Sequence, residues 1–123
     1  MSLDIYLYTE VDLGGEEPYR VDIWDRNMTH NLGKMAEECG LYQPLWRPEE
    51  LFQKSGILPD DYKADYLVLS LEAGLNRLKD KPKKYKKFNP DNGWGNYDIL
   101  VNFVEELLEN CKLYPLAKIE SNR

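Results

Sequence analysis

Leu3, Ile5 and Leu7 alternate with Asp4, Tyr6 and Tyr8 at the start of the chain. That is the period-two pattern of a strand with one face on a core. Tyr19, Val21 and Ile23 alternate with Arg20, Asp22 and Trp24 in the same way. Between them, Asp12-Leu13-Gly14-Gly15-Glu16-Glu17-Pro18 is turn chemistry, with glycines free to take positive φ and a proline unable to donate to a ladder. The two runs predict an antiparallel hairpin, residues 3–11 with 19–25. One face is aliphatic. The other carries Tyr6, Tyr8 and Trp24, as a second core or a binding floor.

The pattern then changes to a helical period. Leu32, Met35, Ala36 and Cys39 share one face of a helix that Thr29 caps and Gly40 stops. Residues 41–63, broken by Pro44, Pro48 and Pro59, read as irregular apart from a short turn at 48–54 with Pro48 in its first position. Leu67, Leu71, Leu75 and Leu78 predict the next helix, and the stretch from Pro82 to Phe88 a short one. After the loop Asn89-Pro90-Asp91-Asn92-Gly93, a last helix starts near Asn96. Its inner stripe is Tyr97, Leu100, Val101, Val104, Leu108 and Cys111, and Pro115 ends it. Leu116 to Glu120 can form a final strand beside the first. The fold class expected is α+β: one domain over residues 1–123, a three-stranded antiparallel sheet packed with three or four helices.

Charge adds an asymmetry. The 123 residues carry 16 Lys+Arg and 22 Asp+Glu, a net of −6. Residues 1–25 hold seven acids and one base, Arg20, also a net of −6, so the remainder sums to zero. Yet Lys79, Lys81, Lys83, Lys84, Lys86 and Lys87 crowd together. The molecule should have an acidic end and a basic knuckle. An acidic domain argues against duplex nucleic acid as partner. The N-terminus has no basic region suited to secretion, and no apolar run reaches the ~18 residues of a membrane span, so a cytoplasmic protein without a membrane partner is expected.

Catalytic signatures are missing: the sequence has no Walker loop, no G-x-G-x-x-G, no G-x-S-x-G and no H-E-x-x-H. Cys39 and Cys111 fall on apolar stripes, where a reduced thiol acts as a small hydrophobe, and one histidine with two isolated cysteines lacks zinc spacing. No cofactor is implied. Asp22, Asp25 and His30 could bind a hard metal, although spacing alone is a weak signal for it.

Two segments carry the candidate site. Thr29-His30-Asn31 opens a helix, where main-chain amide hydrogens suit an anion; the bland alternative is a cap with surface His and Asn. Asn92-Gly93-Trp94-Gly95-Asn96-Tyr97 sets two glycines around a tryptophan before a second helix. Either Trp94 plugs the core, or Trp94 and Tyr97 form a stacking wall while the glycines admit a ligand to the main chain. Were the two helix starts to converge, Thr29, His30 and Asn31 would hold phosphate or ribose, with Asn92 and Gly93 beside them. Trp94 would stack, and Arg47 would close over the ligand. Trp46 reads as a lid on the core. The lysines with Tyr85 and Phe88 read as a solvated linker face or, alternatively, a single-strand binding surface.

The segments Ser2-Leu3-Asp4-Ile5-Tyr6-Leu7-Tyr8, Glu10 to Tyr19, Thr29-His30-Asn31-Leu32, Leu45-Trp46-Arg47-Pro48-Glu49, Asn92-Gly93-Trp94-Gly95 and Pro115 to Arg123 resemble a group of short uncharacterised proteins of bacteriophages, prophages and bacteria. The resemblance spans nearly the whole chain and carries no established activity or catalytic residue. It implies a phage accessory protein in the cytoplasm of a bacterial host, where such proteins act by binding, in counter-defence for example. The expectation is therefore a non-catalytic protein that binds a host protein or a small anionic ligand such as a nucleotide. Two alternatives stand beside it: a small hydrolase or transferase with His30 as general base oriented by Asp22 or Asp25, and an acidic protein–protein interaction module. An edge strand in so small a sheet also leaves homodimerisation open.

Overall fold

The computed structural model describes residues 2–123. Strands β1 (Ser2–Val11) and β2 (Tyr19–Thr29) form the expected hairpin, and β3 (Lys118–Asn122) pairs with the other edge of β1. All pairings are antiparallel, in the order β2-β1-β3. At the turn, the Gly14 amide donates to Asp12 Oδ1 at 2.9 Å. Strand β2 runs four residues past the expected end at 25, because the first residues of β1 need ladder partners and Asp25 to Thr29 provide them.

A β-bulge corrects the alternation read from the sequence. Leu7 pairs with Trp24 but the next residue, Tyr8, pairs with Asp22, so Ile23 is the extra residue of β2. Trp24 is thereby moved to the face of Leu3, Ile5 and Leu7. It packs edge-on against Phe103 at 5.9 Å and donates Nε1–H to Glu106 at 2.8 Å. Tyr6 and Tyr8 are left on the other face, half-buried beneath Arg20, whose guanidinium lies 3.9 Å from the Tyr8 ring centre. No second core forms there, since the buried strand residues Leu3, Ile5, Leu7, Met28 and Ile119 all belong to the opposite face.

The helical layer covers that opposite face. After a 3-10 turn at His30–Leu32 come α1 (Gly33–Glu38), α2 (Tyr42–Trp46) and α3 (Pro48–Lys54). Gly40 ends α1 at φ +80°, and the Leu41 amide returns to the Ala36 carbonyl at 2.7 Å, a glycine stop of the kind expected. Helix α2 lies in the stretch expected to be irregular. Its proline, Pro44, sits in the first turn, where a missing N–H breaks no helical hydrogen bond, and burial of Leu41, Leu45 and Trp46 holds it.

A 3-10 turn at Ala64–Leu67 leads into α4 (Val68–Asp80), followed by α5 (Pro82–Lys86) and α6 (Tyr97–Leu113). The expected inner stripes of α4 and α6 are buried in one continuous core. Asn96 caps α6 by accepting from the Ile99 amide at 3.0 Å. Tyr85 faces inward from α5 and is buried, which removes it from any stacking surface on the lysine run. Cys39 and Cys111 are free and buried, and burial pushes their thiols up to about 11 and about 12. No helix among the described residues is long and apolar enough to cross a membrane.

Candidate functional site

The sheet ends in Thr29, at the edge strand. Its Oγ1 accepts from the Asn31 amide at 3.2 Å, which sets the 3-10 turn and leaves the hydroxyl proton of Thr29 to donate. The loop before α6 docks on this turn through Gly95. A Cβ at Gly95 would stand 2.7 Å from Thr29 Cγ2 and 3.1 Å from Leu32 Cγ, and its φ of +98° suits only glycine. Gly93 has a different task. It turns the chain at φ +75° with nothing near its missing Cβ, while Asn92 Oδ1 accepts from the Trp94 amide at 2.9 Å. The loop thus holds Trp94 away from the core, 69% exposed.

Between the turn and the loop lies an open cleft of about 700 Å³, lined by Ser2, Asn27, Thr29, His30, Asn31, Asn92 and Trp94. Five of the eight residues expected at a site are therefore together, across more than sixty positions of sequence. His30 is fixed from behind. Its Nδ1 accepts from Trp46 Nε1 at 2.9 Å, and Trp46, only 3% exposed, stacks on Tyr42 at 5.3 Å between ring centres. An indole N–H can only donate, so Nδ1 carries no proton in this arrangement and the neutral ring holds its hydrogen on Nε2. That nitrogen is a donor.

The other three expected residues are placed elsewhere. Arg47 lies at the junction of α2 and α3, its amide donating to the Gln43 carbonyl at 2.9 Å, and does not line the cleft. Tyr97 is buried: its hydroxyl donates to the Leu78 carbonyl at 2.7 Å and its amide to Asn89 Oδ1 at 2.8 Å, so it ties α6 to α4 instead of forming a stacking wall. Burial raises its phenol pKa. Gly93 shapes the loop without lining the cleft.

Two expectations about chemistry are also corrected. Three of the amide hydrogens at the two helix starts are already taken, that of Asn31 by Thr29, that of Tyr97 by Asn89 and that of Ile99 by Asn96, which leaves fewer for an anion than the sequence suggests. The lining has no Lys, Arg, Asp or Glu. His30 is oriented by Trp46 rather than by Asp22 or Asp25; Asp22 is instead bound to Arg20 at 2.8 Å. Asp22, Asp25 and His30 do not gather as cation ligands, and among the described residues no group of three or more His, Cys, Asp or Glu does.

Ser2 and Asn27 on the cleft lining, and Trp46 behind His30, are the positions of the candidate site that the sequence did not point to. Asn27 escaped because β2 was expected to stop before it. The partnership of Trp46 with His30 joins two helical segments with no sequence signal between them. Comparison with protein-family models, with curated proteins and with solved structures yields no match.

Proposed function

We propose that the protein is a non-catalytic binding module whose cleft holds the base and ribose of a nucleoside or nucleotide. The observation that carries this reading is the pairing of an exposed indole with a neutral, hydrogen-bonding wall. Trp94 offers a flat apolar face for stacking, worth roughly 1–3 kcal/mol per base. Asn27, Asn31 and Asn92 bring amide groups that match the donor and acceptor edges of a base. Ser2, Thr29 and the Nε2–H of His30 suit ribose hydroxyls. With no Lys or Arg among the described lining residues, phosphates extend toward solvent and the base is what the cleft reads. In the bacteriophage context that the resemblance implies, such a module acts by sequestering a host nucleotide.

Calorimetric titration with the four ribonucleosides and their monophosphates tests this. At least one nucleoside should bind, its monophosphate should bind within a few-fold of it, and Trp94→Ala should weaken both by about tenfold or more. Failure of every nucleoside to bind, or an undiminished affinity in Trp94→Ala, overturns the reading.

A further inference from the structure

The core face of the sheet continues past its helical cover. Strand β1 is covered at Leu3, Ile5 and Leu7, but the same face at Val11 is 40% exposed and its partner Tyr19 62% exposed. Val21 and Ile23 are also exposed beside them. Helix α6 has ended by this level, and the loop after it adds Tyr114 and the open side chain of Leu116. Thr9, Ile23 and residues Tyr114 to Ala117 bound a shallow apolar groove of about 360 Å³. An apolar face left uncovered on one half of a sheet, and packed by helices on the other half, is a place for one more helix.

The charges around the groove select its occupant. Arg20 is engaged by Asp22 and Glu120, and Lys118 by Glu10, so beyond the groove the hairpin turn presents Asp12, Glu16 and Glu17 against the single lysine, Lys63, that forms a β-bridge to Lys118 beside it. We propose that this overhanging face docks a basic amphipathic helix of another protein, its apolar side on Val21, Ile23 and Leu116 and its lysines or arginines toward the acidic turn. A second copy of this chain is a poor occupant. Two hairpins face to face would oppose like charges, and the lysine-rich α5 has its one inward aromatic, Tyr85, buried in its own core. This surface is separate from the cleft and does not rest on the nucleotide reading.

The probe is a synthetic amphipathic helix with a leucine face and lysine flanks, titrated into the isotope-labelled full chain and followed by NMR. Resonances of Val11, Val21, Ile23 and Leu116 should shift, and affinity should fall about tenfold on moving from low to high salt. Glu16→Lys with Glu17→Lys, and separately Leu116→Ser, should each weaken binding while the thermal midpoint holds, since all three side chains are exposed. Trp94→Ala should bind the peptide unchanged. The proposal is overturned if a leucine–glutamate peptide binds equally well, if the shifts map outside the hairpin and the 114–117 loop, or if sedimentation shows the chain dimerising over this face.

Discussion

The two ends of the hairpin use the same strands, the same alternation and the same class of side chain, yet they are in different physical situations. Near the chain start, Leu3, Ile5 and Leu7 lie beneath the helices, and the last residues of β2 lead into a turn locked by Gly95 and by the Trp46–His30 hydrogen bond. Toward the turn at Asp12–Pro18, Val11, Tyr19 and Val21 occupy equivalent positions and are exposed. Alternation therefore marks which face is apolar, but only the layer above decides whether that face is core or surface. Within the hairpin, Glu10, Asp12, Glu16, Glu17 and Asp22 gather toward the uncovered end, where carboxylates stay hydrated, and the neutral cleft sits at the covered one.

The contrast is sharpest in truncations of one strand. Leu7→Ala should cost about 4 kcal/mol in urea unfolding, because it removes buried methyl groups and leaves a cavity. Gly95→Ala comes next, at about 3 kcal/mol, combining a disfavoured positive φ with a methyl group driven into Thr29 and Leu32. An unchanged midpoint there would mean that the cleft walls are not held by this contact.

The covered half should also show in its thiols. Burial raises the pKa of Cys39 and Cys111 from 9.0 to about 11 and about 12, so the fold favours the protonated form. The unfolded chain loses these protons first. Stability is thus intact below pH 9 and declines above it, by about 1 kcal/mol per thiol at pH 10, until the native thiols ionise in turn. Urea unfolding across pH 8 to 11, compared with a Cys39→Ala and Cys111→Ala double variant, measures the difference. The smallest effect belongs to Val11→Ala, expected within about 0.5 kcal/mol of the parent. A loss close to that of Leu7→Ala would show that the overhang is packed after all.

The site was partly legible for the same reason as the strands. Thr29, His30, Asn31, Asn92 and Trp94 carried signals that act locally: a capping oxygen beside its own turn, and glycines whose positive φ bends a loop around one tryptophan. Arg47 and Tyr97 were placed in the site by residue type alone, and residue type does not state direction. The inner stripe of α6 predicted the burial of Tyr97, and its hydroxyl then took the nearest carbonyl, that of Leu78. The β-bulge at Ile23 had no residue signature in a run that alternates evenly, so Trp24 was set on the wrong face.

By itself the sequence determined the hairpin, the helical stripes, the capping residues and the acidic–basic polarity of the chain, because periodicity, turn chemistry and charge act within a few residues of one another. Tertiary structure alone decided the register slip that turned Trp24 inward, the docking of Gly95 on Thr29, the tautomer that Trp46 imposes on His30, and the length of sheet left without a helix over it. Each of these is set by atoms far apart in the chain that meet only when the core closes, where van der Waals contact and hydrogen-bond direction, rather than local preference, decide the outcome.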